Sequence, residues 1–182
     1  MRKWNAVLTA AILLLFLAHA VFGSVLLIGP YTKAAKALAH PLATLIVIHI
    51  ILGVKLTADT LRVWKKTGVS YFSENRLFWA RRISGLAIMV LMLFHLGAFG
   101  RMVNGVYEMI PFSPPRLAAE LLLVFSLAVH VTANVRPMLI SLGVRRLKGA
   151  AGGILFVLSL LLLVATAAFI LYYFEWNVWN IW

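Results

Sequence analysis

The chain predicts an all-α fold: a polytopic membrane protein with five transmembrane helices, forming a single domain over residues 1–182. Three observations carry that expectation. Hydrophobic residues make up 63% of the 182 positions, too large a share for a soluble domain of this size. They gather into apolar runs at roughly 6–28, 38–58, 79–100, 116–140 and 150–174, each long enough for the ~20 residues that cross a bilayer as a helix. The 17 basic residues, against 5 acidic ones, fall mainly in the short loops between these runs.

The first run opens on Arg2-Lys3 and contains Ala18-His19-Ala20, which imitates a signal peptide with its cleavage site. Apolar character continues through Val21, Phe22 and Val25 to Ile28, so a retained helix is expected instead. Breakers separate the runs: Gly29-Pro30 after the first, Pro111 and Pro114-Pro115 before the fourth, and Gly149 with Gly152-Gly153 at the start of the fifth. An inside N-terminus leaves only Lys33, Lys36, Arg101 and Arg116 outside, a strong positive-inside bias. The C-terminus then lies outside, where Tyr172, Tyr173, Trp176, Trp179 and Trp182 read as an interfacial aromatic belt. The net charge of +12 therefore reads as a determinant of topology and a contact for anionic lipid, with no nucleic-acid partner implied. The longest polar stretch, 59–78, leaves no room for a soluble catalytic domain. Without cysteine, the chain cannot itself hold an iron–sulfur cluster.

All five histidines lie in or at the edge of apolar runs, where an ionisable side chain marks a candidate functional site. A lone histidine there can also be a polar residue bonding across a helix interface. Depth distinguishes the set. At ~1.5 Å rise per residue, His19 and His95 both lie to the outer side of the centre of their runs. His49 falls near the centre of its run, and His130 roughly 3 Å to the inner side. Four histidines on four helices thus form two levels, as bis-imidazole ligation of two stacked haems requires. His19 pairs with His95 at the outer haem, and His49 with His130 at the inner one. Gly23 and Gly53 follow His19 and His49 at i+4, on the same helix face, where a glycine lets a porphyrin approach; small residues at a tight helix crossing would look alike. His40, just before Pro41, reads as a capping or interfacial residue, with an outer quinone or proton pathway as the alternative.

The chain also reads as duplicated. Residues 38–55 lie over 117–136 with His49 on His130, Gly53 on Asn134 and Lys55 on Arg136, and residues 3–23 lie over the third run with His19 on His95. Two such helix pairs closing into a four-helix bundle would place ligands on facing helices. The fifth helix, without histidine, is expected outside that bundle.

Two short motifs resemble those of a known family. Arg82-Ile83-Ser84-Gly85 looks like the R-x-S-G signature in the membrane anchors of succinate dehydrogenases and fumarate reductases, and His49-x-x-x-Gly53-x-Lys55 with Asp59 looks like the haem-ligand helix of that family. The five-helix form is similar to the two-haem cytochrome b anchors, in which the first and third helices hold one haem and the second and fourth the other. The chain departs from the family at Lys55, where arginine is usual, at Phe78, where single-haem relatives carry serine, and in having R-x-S-G on its third helix. The resemblance implies two b haems, a quinone (menaquinone or ubiquinone) as substrate, iron–sulfur and flavoprotein partners on the cytoplasmic face, and a prokaryotic inner-membrane location.

On this reading the chain is an electron-transfer subunit of a quinone oxidoreductase. Lys55, Arg62, Arg82 and Arg136 are candidates to neutralise inner-haem propionates, with Ser84 beside them in the R-x-S-G motif; Arg101 and Lys36 are candidates for the outer haem. Each could instead be only a positive-inside residue. Glu108 and Glu120 are candidates for proton exchange with a quinone. Glu120 stands out because an unpaired carboxyl is costly within an apolar run, though snorkelling or an interhelical hydrogen bond would also account for it. Alternative readings are the cytochrome b of a formate dehydrogenase or hydrogenase, a cytochrome b561, or a non-haem transporter or assembly protein.

Overall fold

The apolar runs become helices even across internal breakers: Gly23, Pro41, Gly53, Gly85 and Pro137 all lie within helices, as do Gly149 and Gly152-Gly153, which were expected to mark the start of the fifth. A computed structural model describes residues 2–29, 34–68, 76–97, 99–104 and 106–179; Pro30, Lys33 and Trp182 lie outside them. The helices are α1 (Arg2–Ile28), α2 (Ala34–Thr67), α3 (Arg76–His95), α4 (Pro114–Ser141) and α5 (Leu147–Asn177). All five are long and apolar enough to cross a membrane, so the chain has the architecture of a multi-pass membrane protein.

Two helix ends depart most from the expected runs. α2 continues to Thr67 because no glycine or proline interrupts it after Gly53, and Lys65 and Lys66 in its last turn complement the helix dipole. Gly68, at φ +66°, then ends it in the left-handed conformation that glycine tolerates. α3 stops at His95 instead of running to Gly100, because Gly97 adopts φ +71°. His95 is thus the last helical residue of α3, where an apolar stretch had placed it well inside. Beyond it, the loop before the next helix of this all-helical fold carries a short antiparallel hairpin, β1 (Gly100–Val103) and β2 (Val106–Met109). Asn104 at φ 49° makes its tight turn. Pro114 and Pro115 open α4 as expected, since the first turn needs no backbone N–H donors.

α1 packs on α2, α3 on α4, and α1 touches α4, so two helix hairpins stand side by side. α5 lies in the groove beside α1 and α4. It packs on the flank of those two helices, outside the four that carry histidines as expected, and is the best buried, with 33% of its most apolar window covered against 6% for α2 and for α3. The apolar faces of α2 and α3, including Ile51, Val54, Ile83, Leu86 and Leu93, are exposed, as lipid-facing helices require.

Two cores close the ends. Near the N-terminus, Ala6 of α1 packs with Val135, Met138 and Leu139 of α4 against the start of α5. At the hairpin end, Leu27, Phe112, Ala168, Phe169 and Tyr172 form the other core. There Tyr172 donates to the Ile110 carbonyl at 2.9 Å and Asn177 to the Phe112 carbonyl at 3.0 Å. Tyr172 is buried, so it clamps the loop before α4 rather than sitting in an interfacial belt. Trp179 is exposed, as a belt residue would be.

Candidate cofactor site

The four membrane histidines meet in two pairs on the diagonals of the bundle. His19 of α1 faces His95 of α3 with ring centres 6.2 Å apart and ring planes at 71°. His49 of α2 faces His130 of α4 at 6.4 Å and 89°. The first helix of each hairpin is joined to the first of the other, and the second to the second, as a duplicated unit would arrange them.

Neighbouring side chains orient the rings. Ser84, buried on α3, donates to the Ala80 carbonyl at 2.6 Å, which leaves its oxygen to accept from His130 Nδ1 at 3.0 Å. That bond places the His130 proton on Nδ1 and leaves Nε2 with its lone pair. Asn134, one turn on, donates to the His130 backbone carbonyl at 2.7 Å. His95 Nδ1 lies 2.9 Å from Glu120 Oε2 of α4. Glu120 is fully buried, which an isolated carboxylate in an apolar surround could not sustain without such a partner. His49 Nδ1 is buried with no hydrogen-bond partner. Phe99 packs edge-on to His95 at 4.9 Å and joins it to the aromatic core at the hairpin end.

The two resemblance motifs touch. Arg82 donates from Nη1 to the Gly53 carbonyl at 3.2 Å and lies 5.1 Å over the Phe78 ring. The adjacent Arg81 donates to the Ala133 carbonyl at 3.1 Å. A Cβ on Gly85 would stand 3.3 Å from His130 Cε1, so the lack of a side chain there lets α3 approach the ring. At Gly23 a Cβ would meet no protein atom within 4 Å, and at Gly53 only Arg82 Nη1 at 4.0 Å.

Other candidates stand apart from the rings. Lys55, Arg62 and Arg136 are exposed, and Arg62 lies 3.6 Å from Asp59 on its own helix. Arg101 and Glu108 are exposed cross-strand neighbours on the hairpin. His40, also exposed, is 3.1 Å from the Lys36 carbonyl, in keeping with a local, interfacial role. The Glu120–His95 contact, the Gly85 approach and the Phe99 packing were not expected from sequence. The sole prior signal was the anomaly of a carboxyl in an apolar run.

Chemically, each pair can grip one metal ion from opposite sides. A metal–imidazole bond of about 2.0–2.1 Å, plus about 1.1 Å from nitrogen to ring centre, puts the centres of two such rings about 6.3 Å apart. The observed separations match that span. Among the described residues no cluster of three or more histidine, cysteine, aspartate or glutamate side chains could hold a bare ion. Comparison with protein-family models, with curated proteins and with solved structures returns no match.

Proposed function

We propose that the chain is a di-haem cytochrome b membrane subunit of the succinate dehydrogenase/fumarate reductase type, passing electrons between an iron–sulfur partner and a membrane quinone. The observation that carries this reading is the pairing of four histidines from four helices at 6.2 and 6.4 Å, the spacing of axial imidazoles on one iron. His19 and His95 would hold one haem, and His49 and His130 the other. When bound, the haems supply one-electron carriers at two depths of the membrane.

The remaining roles fall to the chain's own residues. Ser84 orients His130, and Glu120 orients His95. Arg82, joined to Gly53, places a cation within the four-helix bundle. Exposed Lys55, Arg62 and Arg136 offer positive charge to propionates or to an acidic partner surface. With the N-terminus in the cytoplasm of a prokaryotic cell, the His49/His130 level lies toward the inner face, where iron–sulfur and flavoprotein subunits dock. The His19/His95 level then lies toward the outer face, beside the hairpin bearing Glu108.

The test is a reduced-minus-oxidised spectrum of the full chain purified from membranes, with a haem assay. Two b-type haems per chain support the reading, and no b-type absorbance overturns it. A co-purifying iron–sulfur and flavoprotein pair would separate this class from a free-standing cytochrome b561.

A further inference from the structure

The two imidazole pairs differ in what faces their second nitrogens. His130 meets a neutral hydroxyl, Ser84 Oγ, at 3.0 Å, whereas His95 meets a carboxyl oxygen, Glu120 Oε2, at 2.9 Å. Glu120 has 0% exposure, so water does not screen it. Its other oxygen, Oε1, is buried with no hydrogen-bond partner. Among the described residues the only charge partner of Glu120 is His95, the other ion pair being Asp59–Arg62. A negative charge in this position acts most strongly on the His95 imidazole, which it touches.

A carboxylate accepting from Nδ1–H draws that proton toward itself and gives the imidazole anionic character. The ring becomes a stronger donor through Nε2. A stronger donor stabilises the more oxidised, more positive metal, and hydrogen bonding of this kind is one of the protein's levers on haem potential.

We propose that Glu120 is a positioning residue that sets the two sites apart electrically, holding the His19/His95 site at a lower reduction potential than the His49/His130 site. An electron then rests preferentially at the Ser84-supported site and must be driven to the Glu120-supported one. This rests on the haem-ligand reading above.

The experiment is a redox titration, followed by visible and EPR spectroscopy, of membranes carrying the full chain or its Glu120→Gln variant. Glutamine keeps an acceptor oxygen and removes the charge. The reduced-to-oxidised ratio of the His19/His95 haem at fixed potential is expected to rise at least tenfold, about 59 mV for one electron, with the other haem unmoved. Unchanged midpoints, or equal movement of both, overturn the proposal and leave two haems in place. In the unaltered chain, reducing the lower-potential haem should also perturb a carboxylate band in the infrared difference spectrum. Absence of that band overturns the proposal without reliance on any variant. A chain without haem overturns the ligand reading and this proposal together.

Discussion

The Arg82 guanidinium donates to the Gly53 carbonyl at 3.2 Å and thereby ties α3 to α2 four residues beyond His49. Gly53 already accepts from the Thr57 hydroxyl at 2.7 Å, so its carbonyl serves two side-chain donors besides the helix backbone. The packing of α2 is otherwise mainly against α1, so this bond helps fix where His49 stands relative to His130. Arg82→Ala should cost about 1–2 kcal/mol, the range for a charged donor partly open to solvent. Thermal unfolding in detergent measures that loss. Arg82→Lys should recover only part of it, because a single ammonium cannot both reach Gly53 and stack on Phe78 as the planar guanidinium does.

Gly85 lies close against the His130 ring. A Cβ at 3.3 Å from Cε1 forces the imidazole to give by a few tenths of an ångström. In a helix, alanine gains about 1 kcal/mol over glycine, whereas a crowded core loses about 1–3 kcal/mol. Gly85→Ala should therefore leave stability near neutral but weaken haem retention at the His49/His130 site roughly tenfold, the usual scale for a disturbed ligand support. Gly85→Val should abolish that haem. Difference spectra recorded during haem titration read both, with the His19/His95 signal as internal control.

The spans were legible in the sequence because burial in lipid demands long apolar runs, and nothing else in the chain competes with that signal. The proximity of the His19 ring to that of His95, and of the His49 ring to that of His130, follows the heights that helix rise assigns to these residues. Helix ends were harder. Between Asp59 and Thr67 the residues are mostly polar yet helix-compatible, and hydropathy does not register a helix that continues into water. At α3 a single left-handed glycine, Gly97, outweighs the apolar residues around it. The hairpin has its signal in Asn104-Gly105, a pair suited to a two-residue turn, masked by the expectation that α3 reached Gly100. Glu120 could not be joined to His95 without knowing where α3 ends and how α4 packs on it.

The Tyr172 clamp fixes the hairpin end. Its hydroxyl donates to Ile110 while its ring packs on Phe112 at 4.9 Å. Tyr172→Phe keeps the ring and leaves the Ile110 carbonyl without that donor, a loss of about 1–2 kcal/mol. Unfolding in detergent should show that decrement, with both haem signals unchanged because the substitution touches no histidine.

Gly23 separates two explanations of a small residue beside His19. No protein atom lies within 4 Å of its Cβ position, so the protein alone tolerates a side chain there. Gly23→Ala should raise helix stability by up to about 1 kcal/mol. Gly23→Leu should also leave the fold intact. If the glycine serves a porphyrin, Leu lowers occupancy of the His19/His95 haem alone, which haem content per chain and EPR amplitude resolve. Full occupancy in Gly23→Leu would remove Gly23 from the site and leave the histidines untouched.

The diagonal pairing makes the strongest demand on the molecule. Because His19 and His95 come from different hairpins, as do His49 and His130, no pair can be supplied by one hairpin alone. His19→Ala and His95→Ala should each remove the same haem, and His49→Ala and His130→Ala the other, leaving one haem per chain in all four variants. The double variant His19→Ala/His95→Ala should lose no more haem than either single one, since under the proposed ligation each single change already removes an axial ligand. The double variant His19→Ala/His49→Ala should lose both haems, although its substitutions lie within one hairpin. Haem content and the surviving EPR signal in these six proteins distinguish diagonal ligation from pairing within a hairpin. Under the latter, His19→Ala and His49→Ala would remove the same haem.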